Sequence, residues 1–486
     1  MNISWFRLGM ASIFLLSVTL RFWGLSRFNT LVFDEVHFAT FANNYLIHKT
    51  FFENHPPLGK YFIAVGIWLS QWLPFGHSES NTLAGSALTP FSYRWMNALM
   101  GSFIPLIVAG IAYELTKRRS YTFIAGLFAA LDGLFLVESR YALINVYLVM
   151  FGLLGQWLFL LALERDSKKS EIFLSLAGVC FGASFAVKWS GLAFLLATYL
   201  LWFAAKIIDY TQIQWQKQSD PNLSKNDSLS LEPHKFRKAP IEKLAELSVM
   251  NIVLKLLVLP FIVYSINWIP HIQLNTNMNM WEWQKYLYLS QKSVGANVHP
   301  YCSPWYSWLL MRRPVGYYFQ TANIAGDGLN QVPQEIYYDV HGIGNPILWW
   351  LSTGAIAFIF VLILQKLVIL NSHLISRSQK ILLVRNQKFW ILLYLSVNFT
   401  ANLLPWLSIT RCTFLYHYMG ASVFSVLALG WFIDRYLRYR RLIYQLVAFF
   451  TIAFIIIAFC YWLPIYLGLP LSPVEFQSRM LLRSWY

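Results

Sequence analysis

"PLGKYFIAVGIWLSQWLPF" (57–75) is the stretch on which the architecture turns. It is apolar and nearly long enough to cross a bilayer, which takes about 20 residues. Counting it as a span would move every later loop to the other side of the membrane. That a membrane is involved follows from composition: the 486 residues are 57% hydrophobic and 12% charged, against about 25% charge in soluble proteins. Eleven other segments read as spans: 5–24, 95–115, 121–138, 141–163, 171–187, 190–208, 250–268, 346–368, 389–407, 414–433 and 442–463. Of these, 121–138 and 171–187 are short for the task. With the N-terminus in the cytoplasm, the basic tracts "KRRS" (117–120), "ERDSKK" (164–169) and "DRYLRYRR" (434–441) all fall inside, as the positive-inside rule requires. Adding 57–75 as a twelfth span would put "KRRS" outside. The stretch therefore reads as an interfacial or re-entrant helix on the outer face, started by Pro57 at its first helical position.

The same topology sorts the rest of the chain. The net charge of +16 belongs to cytoplasmic loops and points away from nucleic acid. The aromatic content of 18%, with 21 Trp, suits interfacial anchors. The N-terminal "WFRLGMASIFLLSVTLRFWG" reads as an uncleaved first span, since no small-x-small site follows it. Residues 1–463 form one membrane domain. Within it, 25–94 is the first outer loop and 209–248 a polar, lysine-rich cytoplasmic linker. Residues 269–345 form a long outer loop dense in Trp, Tyr, Pro and Gly, and 464–486 an outer tail. Four cysteines (Cys180, Cys302, Cys412, Cys460) without CxxC spacing indicate neither a zinc site nor a disulfide framework.

The polar clusters then share one side. Asp34, Glu35 and His55 fall outside, with "ESR" (138–140), "VKW" (187–189), "HPYCSPW" (299–305) and "TRC" (410–412). Each has a bland reading and a functional one. Asp34 is either the cap of a short helix, with Glu35 in its first turn, or a base whose pKa is raised by partial burial. In "HPPLGK" (55–60) a rigid turn is flanked by His55 and Lys60, and Lys60 also reads as a snorkelling lysine. Arg140 needs an anionic partner at its depth. That partner is either Glu138 or Asp132, or the phosphate of a lipid. Lys188 and Arg411 pose the same choice.

The chain resembles the protein O-mannosyltransferases, membrane enzymes that move mannose from a polyprenyl-phosphate carrier to Ser or Thr of proteins. The resemblance rests on "FDEVHF" (33–38) followed by "HPPLGK", and on "LDGLFLVESRYALINVYLVMF" (131–151), "VKWSGL" (187–192) and "HPYCSPWYSWLLMRRPVGYYF" (299–319). "GNPILWW" (344–350) and "NLLPWLSITRCTFLYHY" (402–418) complete it, in order along nearly the whole chain. It implies the C-type glycosyltransferase architecture: an all-α polytopic membrane protein of about eleven spans with helices in its outer loops and an extracytoplasmic site. It implies Asp34 as base, Glu35 as a residue that positions the acceptor, and Arg140 as a contact to the carrier phosphate. Two departures stand out. The loop 269–345 is too short for the β-trefoil (MIR) region of eukaryotic members, which favours a bacterial type in the plasma membrane. Asn145 stands where many eukaryotic members have Asp, so no role transfers to that position.

The expected reaction is a single in-line displacement with inversion. Asp34 takes the hydroxyl proton, and Arg140 holds the leaving phosphate, with Lys60, Lys188 and Arg411 as weaker candidates. Glu138 and His55 complete the substrate-binding set. No cofactor or metal is required. Expected partners are the polyprenyl-phosphate-linked sugar, secreted or membrane protein acceptors, and the lipid bilayer; the sequence leaves the oligomeric state open. The rivals are a C-type transferase for another polyprenyl-linked sugar or a glycolipid acceptor, and a secondary transporter. The transporter is disfavoured by the absence of a repeat and by charges gathered at one membrane edge.

Overall fold

The structure is a computed structural model that describes residues 3–165, 167–219, 238–296, 298–324, 334–372 and 374–486. It is mainly helical, and ten of the described helices are long and apolar enough to cross a membrane. The N-terminal helix α1 (Ile3–Phe22) is followed by two short helices, α2 (Glu35–Leu46) and α3 (Leu58–Ser70). The 57–75 stretch is therefore helical for only 13 residues, with Pro57 at its N-cap. At 1.5 Å per residue that is about 20 Å, short of the roughly 30 Å hydrocarbon core. Thr89 caps α4 (Pro90–Thr116) through a bond from the Ser92 N–H.

The expected span 121–138 is broken. It consists of α5 (Arg119–Ala130) and α6 (Gly133–Glu138). Asp132 makes the break: its carboxylate accepts from the N–H groups of Leu134 (2.9 Å) and Phe135 (3.2 Å), starting a new helix, and from Trp349 Nε1 (2.6 Å). Such a polar break is tolerated at membrane depth only when buried in protein, and Asp132 is buried. The chain continues through α7 (Asn145–Glu164), α8 (Ser167–Val187) and α9 (Leu192–Ser219). The linker expected over 209–248 is thus helical to Ser219, and a further short helix spans Pro240–Glu246. Residues 220–237 lie outside the described residues.

Helix α8 lies directly on the helix Val249–Leu274. Gly178 and Gly182 permit this: a Cβ on Gly178 would stand 1.9 Å from the Lys255 carbonyl oxygen, and one on Gly182 2.7 Å from that of Pro260. This is the small-xxx-small logic of close helix approach in lipid. Helices Pro346–Asn371, Gln387–Leu403 and Met419–Leu437 form a second packed group, with Leu442–Leu467 on its outside.

Ion pairs gather the basic tracts on one face. Lys117 and Lys243 each reach Glu164 at 3.7 Å, Arg385 reaches Glu242 at 2.5 Å, and Arg118 and Arg438 meet Asp434 at 3.4 and 2.9 Å. The opposite face carries a small sheet that the all-helical expectation lacked. Strand β1 (Val315–Ile324) pairs antiparallel with β2 (Gln334–Gly342), which pairs with β3 (Pro470–Leu471). The C-terminal segment folds back onto this face. Trp485 is buried and donates to the Met311 carbonyl (2.9 Å), and Arg313 donates to that of Ser484 (2.8 Å).

The cysteine reading needs correction, because Cys302 and Cys412 form a disulfide across a sequence separation of 110. Spacing gives no hint of it, since the two loops meet only through the fold. Backbone bonds clasp the same loops: Ser303 N–H to the Thr413 carbonyl at 2.7 Å, and Cys412 N–H to that of Gly295 at 2.9 Å.

Candidate active site

Asp34 occupies the N-cap of α2, yet its side chain caps no N–H of that helix. The preceding Phe33 adopts φ +50°, a conformation that costs a bulky residue energy and is often held at functional sites. Its ring stacks flat on Tyr317 of β1, 4.4 Å between centroids. Asp34 is half-buried. Burial pushes its carboxyl above the usual range, against the opposing pull of His37, Lys188 and His299. Both moves suit a base waiting for a proton.

Glu35 is placed differently. It is fully buried and ion-paired with Arg94, whose Nε and Nη2 donate to its two oxygens at 2.8 and 2.7 Å. The N–H groups of Val32 and Ala142 add bonds at 2.8 Å each. Four donors leave this carboxylate little capacity for a substrate, so Glu35 ties the acidic motif to α4 and to the segment after α6.

Arg140, expected at the phosphate, is buried and donates to the carbonyls of Leu20 (2.7 Å), Arg21 (3.2 Å), Trp23 (2.8 Å) and Gly24 (3.2 Å). It closes the C-terminal end of α1, where carbonyls lack helical partners. Neither Glu138 nor Asp132 bonds it. Lys60 lies under the His55 turn. Its ammonium donates to the carbonyls of His55 (2.9 Å) and Pro56 (3.0 Å) and pairs with buried Glu53 at 3.2 Å. Burial lowers Lys60 to about 8, against the pull of Glu53. Glu53 in turn accepts from the N–H groups of Asn54 (2.7 Å) and His55 (2.9 Å). Sequence reading did not single out Glu53 or Arg94, and both work through partners brought near by folding.

The remaining candidates converge. Lys188, in the break between α8 and α9, has its Nζ 3.4 Å from Asn145 Oδ1, 3.5 Å from His417 Nε2 and 5.4 Å from the Tyr416 ring centre. Burial and nearby Arg411 lower it to about 8, opposed by Asp34, Glu138 and Glu53. Glu138 accepts from the Tyr317 hydroxyl and, at 3.2 Å, from the Asn145 amide. Arg411 is half-buried and donates to the Cys412 carbonyl at 3.0 Å. Burial, Lys188, Lys60 and Arg411 together push His55 well below its ordinary range, so it is neutral near pH 7.

His55, Lys188 and Arg411 line one end of a cleft of about 1040 Å³. The rest of its lining is largely apolar, with Leu192, Leu195, Leu196 and Tyr199 from the start of α9 and with Trp406 and Ile409. A charged mouth continued by a greasy channel accommodates a phosphate with a hydrocarbon tail. Asp34 and Glu138 lie within electrostatic reach of Lys188 at the charged end.

The helical membrane bundle, with this charged, amphipathic cleft at one end of its spans, has the fold of the C-type glycosyltransferases. Residues 11–275 match the family described as dolichyl-phosphate-mannose-protein mannosyltransferase. Residues 272–485 match the C-terminal four TMM region of protein-O-mannosyltransferase. The chain belongs to this protein mannosyltransferase family. It is 24% identical to the polyprenol-phosphate-mannose–protein mannosyltransferase of Mycolicibacterium smegmatis, over 94% of this chain and 88% of that one. It is 33% identical to protein O-mannosyltransferase 1 of Drosophila melanogaster, over 39% of this chain and 22% of that one. In fold it is similar to the Saccharomyces cerevisiae protein O-mannosyltransferase Pmt1-Pmt2 complex bound to the sugar donor. There the TM-score is 0.75 at 15% identity, covering 100% of this chain and 93% of that one.

Proposed function

We propose that this chain transfers mannose from a polyprenyl-phosphate carrier to Ser or Thr hydroxyls of proteins, with Asp34 as the base and Lys188 and Arg411 as the phosphate's cations. The observation that carries this reading is the cleft: its cationic end adjoins Asp34 and its apolar end follows a membrane helix. In the step, the acceptor oxygen attacks the anomeric carbon of mannose. The carbon–oxygen bond to the phosphate breaks, and the hydroxyl proton passes to Asp34. The leaving group is a phosphate monoester, more highly charged than the diester it came from. Cations aimed at its oxygens are therefore worth more in the transition state than in the ground state. Neutral His55 supplies a hydrogen bond without adding charge. Glu138, fixed by Tyr317 and Asn145, is placed to orient Lys188. The roles first expected for Glu35 and Arg140 pass to this set, and Glu35, Arg140 and Lys60 hold its frame.

The site is proposed to face the extracytoplasmic side of the cell membrane. Two features support that orientation. The basic tracts lie at the opposite end of the spans, and the Cys302–Cys412 disulfide suits an oxidising compartment. The test is to incubate purified protein with radiolabelled polyprenyl-phosphate mannose and a Ser/Thr-rich peptide. Label on the peptide, released by base-catalysed β-elimination, is the expected result; label found only on glycolipid would reject the acceptor class.

A further inference from the structure

A second, smaller cleft of about 240 Å³ lies at the basic end of the spans, where α4, Gln387–Leu403 and Met419–Leu437 meet. Arg118, Lys388, Arg435 and Arg438 line it, with Trp431 and Ile391 as its apolar wall. Its only ion-paired acid among the described residues is buried Asp434, which takes Arg118 at 3.4 Å and Arg438 at 2.9 Å. Arg435 lies over the Trp431 ring at 4.9 Å and reaches the Tyr439 hydroxyl at 3.4 Å. Lys388 is exposed and makes no ion pair among the described residues. Asp434 thus pairs two of the four cations, and Arg435 and Lys388 pair with no acid among the described residues.

We propose that this cleft binds the phosphate headgroup of an anionic membrane phospholipid. Three features argue for a lipid over a soluble phosphate compound. The cleft sits at the ends of membrane-length helices. Its wall includes Trp431 and Ile391, and Tyr439 closes the rim, a composition suited to the interface. Basic pockets between spans on this side are fitted to acidic headgroups. The site is separate from the cleft at Lys188, at the other end of the bundle, and does not depend on the reaction proposed there. Arg435 and Arg438 also stand in or beside the last turn of their helix, where cations offset the helix dipole; if that were their whole role, no lipid would be held.

The test uses the full chain in detergent with equal phosphatidylglycerol and phosphatidylcholine, read by native mass spectrometry. The expected result is one phosphatidylglycerol retained under activation that strips phosphatidylcholine. Retention should fall about tenfold in a Lys388→Gln, Arg435→Gln double variant and be unchanged in Lys169→Gln, which removes a charge elsewhere on the same face. Neither altered side chain pairs with Asp434, and Lys388→Glu alone serves as a second probe should the double variant misfold. Equal retention of both lipids, or undiminished retention by the double variant or by Lys388→Glu, would overturn the site. Displacement of the lipid by millimolar inorganic phosphate would overturn the lipid assignment in favour of a soluble anion.

Discussion

Asp34 and Glu35 are neighbours in sequence and opposites in setting. The Asp34 side chain bonds no N–H of its helix and lies within electrostatic reach of Lys188, while Glu35 is saturated by Arg94 and two backbone N–H groups. Their substitutions should therefore fail in different ways. Asp34→Asn should lower transfer by about 10²-fold or more, with thermal unfolding of the purified protein unchanged. Glu35→Ala strands a buried guanidinium, which costs about 3–5 kcal/mol, and should appear first as lost yield of folded, detergent-extracted protein. A stable Glu35→Ala protein with normal unfolding would contradict the structural role. The acidic pair was legible in the sequence as a pair. Its division of labour was not, because Arg94 lies 59 positions away, at the far end of the expected outer loop 25–94. Arg140 misleads for the same reason. A buried arginine at the membrane edge needs acceptors, and here they are the carbonyls closing α1, about 120 residues earlier.

Hydropathy recovers elements well wherever a helix is bounded by bulk lipid and water, which is why the long spans fell close to their expected places. It fails where protein surrounds the chain. The break at Asp132 leaves no trace in a sliding average, because one carboxylate and one glycine interrupt an otherwise apolar run. The strands β1 and β2 come from a loop whose aromatic richness was noted but whose pairing partners lie beyond the loop tip. The clasp between the Cys302 and Cys412 loops carries a prediction. It fixes the backbone next to Arg411, so replacing both cysteines with Ser should cost about 2–4 kcal/mol and weaken donor binding. Reductant should shift unfolding of the parent protein by a similar amount and leave the variant unmoved; no shift in either would mean the clasp is held by its backbone bonds alone.

Across the whole molecule, charge is segregated by face: tracts of Lys and Arg at one end, and a mixed cluster of Asp34, Glu138, Lys188 and Arg411 at the other. The mixed cluster sets the pH response. If Asp34 is the base, its carboxyl, raised by burial, must lose its proton for transfer, so the acid limb should lie above the usual carboxylate range. If Lys188 holds the phosphate it must keep its proton, and the rate should fall as pH rises through about 8. Lys188→Arg should move that alkaline limb upward, since guanidinium does not titrate there. An unmoved limb would assign it instead to Lys60, also near 8, beneath the His55 turn.

The greasy channel leading away from Lys188 along α9 has one more implication. A donor that enters there travels sideways within the oil and never dissolves in water. What the enzyme senses is then a surface density, molecules of carrier per area of leaflet, rather than a molarity. Diluting the vesicles at fixed lipid composition should leave the rate per enzyme untouched, while diluting the carrier with inert lipid should slow it.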